Sequence, residues 1–248
     1  MELALLDFDN TLTNSNGVLL DETIQDIKKY TKENKICIIS NSTYNELLKI
    51  KNDNLLDISF YSLSNNMGLI DNKLVKSDID YHLINQIINK FKDFIYTLWA
   101  NDSSNSFIYN YQDRLSFFYP KENRIIINEF NKNIPSISIA INIGCYDEFY
   151  SFIEKLNLGY EIIAKDSKRN IVKIFELNHQ KNVLFNKIIN YFKPDKTIGI
   201  GDGIDNLSFI NLCDEKIAMK DSILAKELKK TTTKTNDFNG CLDYLINR

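Results

Sequence analysis

LALLDFDNTLT, residues 3–13, opens with four consecutive apolar residues and then places two carboxylates, Asp7 and Asp9, two positions apart. A short unbroken apolar run suits a strand buried on both faces of a parallel sheet, where neither side meets water. KICIIS, 35–40, and TIGIGD, 197–202, have the same form, and each ends in a polar residue. Between the first two lies DETIQDIKKYTKEN, 21–34, a helical stretch with Ile24, Ile27 and Tyr30 near one face and Asp21 as its expected cap. A second helix is expected from about Thr43 to Lys51. This β-α-β-α alternation predicts an α/β fold, a Rossmann-like parallel sheet with helices on its faces.

The rhythm changes after about residue 75. IDYHLINQIINKFKDF, 79–94, reads as an amphipathic helix. SFIYNYQ, 106–112, and LSFFYP, 115–120, separated by Asp113 and Arg114, read as an antiparallel hairpin. SISIAINI (136–143), a helix at 146–157, YEIIA (160–164) and IVKIFEL (171–177) complete a section that reads as α+β. The first rhythm then returns, with a helix at about 180–192, TIGIGD, a helix near 205–211, the short strand KIAM (216–219), and helices at 221–229 and 238–246. The expected organisation is a core formed by 1–75 and 176–248, interrupted by an inserted α+β domain at 76–175.

Composition narrows the function classes. A net charge of −3 over 248 residues offers no basic field for nucleic acid. No apolar run reaches the length of a membrane span, and the first residues enter the strand pattern directly rather than through a signal-peptide pattern. Cys37, Cys145, Cys213 and Cys241 are scattered without metal-ligand spacing, as expected of reduced thiols in a cytoplasmic protein. Oligomeric state leaves no signature in the sequence, and a monomer is the default expectation.

The chemistry concentrates at strand ends, beyond which open parallel sheets bind their ligands. The first strand ends in Asp7-Phe8-Asp9, the second in Ser40-Asn41-Ser42, and a later one in Gly201-Asp202-Gly203-Ile204-Asp205-Asn206. Carboxylates meeting on one rim suit a hard divalent cation such as Mg²⁺. A carboxylate can also attack phosphorus to form an aspartyl-phosphate. Taken singly, the motifs have plainer readings. DFDN is a good polar turn, Ser40 or Ser42 could simply cap a helix, and Lys181 could be a solvated surface lysine. GIGDGIDN is more specific, because three of the chain's eight glycines fall between 199 and 203, beside two acids. His82 and His179 have no ligand spacing, and structural roles are expected for both.

In order, DFDNTLT (7–13), Ser40, Lys181 and GDGIDN (201–206) resemble the haloacid dehalogenase superfamily, in particular its Cof-like hydrolases with a large inserted cap. NNMGLI (65–70) and IAMKDS (217–222) resemble weaker motifs of the same branch. The resemblance spans essentially the whole chain. It implies that Asp7 is the nucleophile and Asp9 the general acid and base. It further implies that Asp7, the Asp9 carbonyl and Asp202 hold Mg²⁺, with Asp205 and Asn206 around them. Ser40, Asn41 and Lys181 would bind the phosphoryl group of a small phosphate ester, most plausibly a sugar phosphate. Two departures stand out: Asn10 replaces the usual glycine, and the arginine common after the second strand is absent. The expected activity is a Mg²⁺-dependent phosphatase. The alternatives are a phosphomutase of the phosphomannomutase type and a non-catalytic phosphosugar-binding regulator. Asp113 and Arg114 are possible substrate contacts, although a hairpin turn explains them equally well.

Overall fold

The computed structural model describes residues 1–63, 66–102, 105–119, 123–177, 181–232 and 234–248, with the backbone alone at 117, 118 and 181–183. In chain order the elements begin β1 (Glu2–Leu6), α1 (Asp21–Tyr30), β2 (Lys35–Ser40), α2 (Tyr44–Asp53), β3 (Ser59–Ser62), β4 (Met67–Ile70) and β5 (Lys73–Lys76). Next come α3 (Tyr81–Phe91), β6 (Ile95–Asn101), β7 (Ser106–Tyr109), β8 (Arg124–Ile127), β9 (Ser136–Asn142), α4 (Tyr146–Lys155), β10 (Leu158–Lys165) and β11 (Arg169–Glu176). The last are α5 (Lys181–Phe192), β12 (Lys196–Gly201), α6 (Leu207–Ile210), β13 (Glu215–Ala218) and α7 (Gly240–Asn247). The chain divides into two compact units, Met1–Val75 with Lys181–Arg248, and Lys76–Gln180. Among the described residues no helix is long and apolar enough to cross a membrane.

The first unit is an α/β core. Its seven-stranded sheet runs β13-β12-β1-β2-β3-β4-β5. The pairings from β13 to β3 are parallel, and β4 returns antiparallel to β3. The apolar run that opens the chain is buried on both sides. Ala4 and Leu6 pack with Ile27 of α1 and Leu242 and Leu245 of α7, whereas Leu3 and Leu5 pack with Leu184, Phe185 and Ile188 of α5. A strand sandwiched in this way leaves no face for a charged residue, so its acids can only follow its end. The register decides what they meet: Leu6 lies opposite Ile200 on one side and Ile38 on the other. The carboxyl ends of β1, β2 and β12 therefore fall within two residues of one another.

The second unit carries a six-stranded sheet, β10-β11-β9-β6-β7-β8. Helices α3 and α4 cover one face through Ile84, Ile87, Phe91, Phe149 and Ile153. On the other face Trp99, Ile108, Leu115, Tyr119, Ala140 and Ile171 form a smaller cluster.

Several local expectations need correction. Residues 115–119 do not form the return strand of a hairpin, because Asp113–Phe118 is a 3₁₀ helix, and Pro120 lies outside the described residues. Strand β7 pairs antiparallel with β6 and parallel with β8. A two-residue hairpin loop needs positive φ, for which Gly or Asn is suited and Asp113-Arg114 is not. The 3₁₀ turn instead buries Leu115 and Tyr119, and the Tyr119 hydroxyl accepts from the Gln112 amide (2.9 Å) and donates to Thr97 Oγ1 (2.9 Å). Asp21 does not cap α1. The cap position is Leu20, with no side-chain bond, and Asp21 sits in the first turn, where its charge suits the helix dipole. The helix expected at 221–229 reduces to a single 3₁₀ turn, Leu224–Lys226. Asp221 adopts the left-handed region, and the Leu224 amide donates to the Asp202 carbonyl (2.9 Å), so this segment braces the loop after β12.

Candidate active site

Three strand ends build the site. After β1 the chain turns at once: the Phe8 carbonyl accepts from the amides of Thr11 (3.3 Å), Leu12 (2.9 Å) and Thr13 (3.1 Å). Asn10 takes φ +55°, so the residue that replaces the usual glycine occupies the conformation for which glycine is suited. The plain reading of DFDN as a polar turn thus holds as well, and the turn is what presents the two acids differently. Asp7 is buried and its amide donates to the Ile200 carbonyl (3.0 Å), which ties it to β12. Asp9 is exposed.

After β12, Asp202 lies in reach of Asp7, and the two carboxyl groups share a hydrogen bond. Burial pushes the Asp7 carboxyl well above the ordinary carboxylate range, and the negative charges of Asp202 and Asp205 raise it further, against one lowering bond from the Phe8 amide. Burial also raises Asp202, which the bond from Asp7 lowers. Two desolvated carboxylates cannot both ionise cheaply, and a hard divalent cation would supply the compensation they lack. Among the described residues no group of three or more His, Cys, Asp and Glu side chains is placed to hold a metal. The family resemblance implies two carboxylates and a backbone carbonyl as ligands, and of these the adjacent carboxyl groups of Asp7 and Asp202 have the oxygen chemistry a hard cation takes.

The loop carrying Asp202 is held from within by Asn206. This side chain is buried, and its Oδ1 accepts from the amides of Asp202 (3.1 Å) and Gly203 (2.8 Å). The Gly201 carbonyl accepts from the Met219 amide (2.8 Å), a second brace from the IAMKDS stretch. Asp205 is exposed, and its backbone carbonyl accepts from the Ser208 hydroxyl (2.7 Å).

At the end of β2, Ser40 is buried and its hydroxyl accepts from the Ser42 amide (2.9 Å), while Asn41 is exposed. Neither Ser40 nor Ser42 caps α2. Thr43 does, in a capping box with Glu46. The Ser42 hydroxyl instead donates to Asp9 (3.2 Å). The sequence reading treated Ser42 only as a possible cap. The signal that could have released it is the T-x-x-E spacing of Thr43 and Glu46. Lys181 is the first residue of α5, and its side chain lies outside the described residues. His179 and Asn65 also lie outside them. His82 is in the other unit, its ring against that of Tyr81 at 4.0 Å. The four cysteines are free and buried, and burial pushes the Cys37 and Cys213 thiols up to about 12, so neither is a nucleophile.

A family model described as haloacid dehalogenase-like hydrolase matches residues 4–245. No match was found among curated proteins by sequence. Solved structures give full-length matches. The phosphatase BT1666 from Bacteroides thetaiotaomicron has a TM-score of 0.74 at 15% identity, covering 100% of this chain and 94% of its own. TM0651 from Thermotoga maritima has a TM-score of 0.74 at 13% identity, covering 99% and 97%. The subclass IIB sugar phosphatase BT4131 has a TM-score of 0.68 at 15% identity, covering 100% and 98%. Similarity at this identity is a likeness of fold.

Proposed function

We propose that this chain, which belongs to the haloacid dehalogenase-like hydrolase family, is a Mg²⁺-dependent phosphatase of small phosphorylated metabolites that works through an aspartyl-phosphate on Asp7. The observation that carries the proposal is the division of labour between two nearby acids. Asp7 is buried and bonded to Asp202, whereas Asp9 is exposed and bonded to Ser42. A nucleophile gains from being fixed and desolvated, and a proton carrier gains from reaching the substrate side.

Asp7, Asp202 and the Asp9 carbonyl would hold Mg²⁺, which would offset charge on the phosphoryl oxygens and on the two carboxylates. Asp7 then attacks phosphorus as the bond to the leaving oxygen breaks, and Asp9 gives its proton to that oxygen. In the second half Asp9 takes a proton from water as the water oxygen attacks phosphorus. The Asp7–phosphorus bond breaks and inorganic phosphate leaves. Ser40 and Asn41, at the end of β2, and Lys181, at the start of α5, hold the phosphoryl oxygens, where neutralising spread negative charge does most of the work. Asp205 and Asn206 surround the cation site, and Asn206 holds the Asp202 loop in place. Sugar phosphates are the first substrates to try, because BT4131 is a sugar phosphatase of the same fold. The unit Lys76–Gln180 stands in the sequence where a cap would select among them. Four free, buried cysteines suit a reducing, cytoplasmic setting.

The test is turnover of p-nitrophenyl phosphate with and without Mg²⁺, followed by a screen of sugar phosphates. Asp7→Asn is expected to lower kcat by at least about a thousandfold, since a neutral amide cannot replace the attacking carboxylate. Phosphate release without an isomerised sugar phosphate separates hydrolysis from mutase chemistry. No turnover on any phosphate ester, or full activity in Asp7→Asn, refutes the proposal.

A further inference from the structure

The unit Lys76–Gln180 contains a cavity of about 640 Å³. That is within the usual range for small-molecule sites, roughly 300–1,000 Å³. Its lining includes Tyr96 of β6 and the buried Leu115 of the 3₁₀ turn. It also carries three cationic side chains, Arg114 from the 3₁₀ turn and Lys168 and Arg169 from the turn between β10 and β11. Both turns are pinned. The Gln112 amide donates to the Tyr119 hydroxyl (2.9 Å), which fixes the chain entering the 3₁₀ turn. The turn between β10 and β11 closes on Asp166, which accepts from the amides of Lys168 (2.8 Å) and Arg169 (2.9 Å) and from Arg169 Nε (2.6 Å). The Lys168 carbonyl accepts from the Ile143 amide (3.1 Å) and ties that turn to the end of β9.

The one carboxylate in the lining is thus engaged by three donors, which also hold it below the ordinary carboxylate range. Arg114 and Lys168 form no ion pair or side-chain hydrogen bond among the described residues. Two cations without an ion pair among the described residues, beside an aromatic and an apolar side chain and between braced turns, form a preorganised receptor for an oxyanion with a carbon body.

We propose that this cavity is a binding site for a small organic anion, with Arg114 and Lys168 taking its phosphate or carboxylate head and Tyr96 and Leu115 taking its body. Arg169 stays committed to Asp166 and holds the turn in shape.

Trp99 is the chain's single tryptophan and packs in the same cluster as Leu115, so its fluorescence reports on this unit. The experiment titrates glucose 6-phosphate and, separately, citrate into full-length Asp7→Asn protein in Mg²⁺-free, low-salt buffer. Glucose 6-phosphate tests a phosphate ester and citrate a polycarboxylate. At least one is expected to saturate with a Kd below about 1 mM. The pair R114Q/K168Q, both at exposed positions, is expected to weaken that binding at least about tenfold while near-UV circular dichroism stays unchanged. Lys181→Ala, which removes the lysine proposed for the core site, is expected to leave it within about twofold. The inference fails if neither probe saturates, if R114Q/K168Q binds as tightly as its parent, or if Lys181→Ala abolishes the signal. None of these outcomes bears on Asp7-dependent turnover, which is measured separately.

Discussion

Gly201→Ala should be far more damaging than Gly203→Ala, although both replace a glycine in one loop. A Cβ at Gly201 would lie 2.5 Å from Asn206 Oδ1 and 2.8 Å from its Cβ. Asn206 is buried, and its Oδ1 holds the amides of Asp202 and Gly203, so it cannot step aside without releasing both. Overpacking a tight interior costs about 1–3 kcal/mol, and two lost hydrogen bonds add about 1 kcal/mol each when their partners stay buried. Because relaxing the clash is what breaks the bonds, these costs overlap, and a net loss of about 2–4 kcal/mol is expected. At Gly203 the new Cβ would meet Asp205 Oδ1, the tip of an exposed side chain that can rotate away. Gly203 has φ −97°, open to any residue, so this loss should stay within about 0.5 kcal/mol. Urea denaturation with an unchanged m-value reads the stability difference. Steady-state hydrolysis of p-nitrophenyl phosphate reads the site: Gly201→Ala should lower kcat at least about tenfold as Asp202 shifts, and Gly203→Ala by less than about threefold. Equal effects of the two substitutions on both measurements would refute the claim that Asn206 positions the Asp202 loop.

Ser42→Ala removes the hydrogen bond to Asp9 and should slow alkyl phosphates by about 3–10-fold while changing p-nitrophenyl phosphate little, because a good leaving group needs less proton donation. Steady-state kcat across leaving groups of graded pKa checks it, and a uniform loss would mean that Ser42 serves structure alone. Glu215 is opposed by burial, which raises it, yet bonds from Lys196, Lys230 and Tyr244 bring its carboxyl down to about 2. Arg248 adds an ion pair at 3.0 Å. Since the folded-state value lies below the unfolded one, this stabilisation is fully present above about pH 4.5 and drains away as pH falls toward 2. Glu215→Gln should therefore cost about 2 kcal/mol at pH 7, after screening, and the gap from wild type should shrink in urea melts between pH 4.5 and 3.

The parts of the fold that were legible are those where one face pattern admits one structure. LALLD, KICIIS and TIGIG are unbroken apolar runs, and each became a central strand of the core sheet. The 106–120 stretch misled because its apolar residues serve two ends. Phe107 and Ile108 belong to a strand, while Leu115 and Tyr119 fold over that strand's sheet from a 3₁₀ turn. Alternation and turn spacing look alike in the two cases, and only the burial of Tyr119 against Trp99 distinguishes them. Strands β3 and β4 went unread for a related reason. They are four residues each, too short for a period to declare itself.

The sequence by itself determined that Asp7, Ser40 and Asp202 sit where apolar runs stop, because a strand covered on both faces has no other place for a polar group. It also determined the order of the motifs. Which of those groups meet was decided by the tertiary structure. Leu6 stands level with Ile38 and Ile200, so the first carboxylate of DFDN reaches Asp202 while the second turns out to Ser42. That difference comes from strand register and from one left-handed asparagine, Asn10. Register is set by packing among segments remote in sequence, and no local pattern in LALLDFDNTLT encodes it.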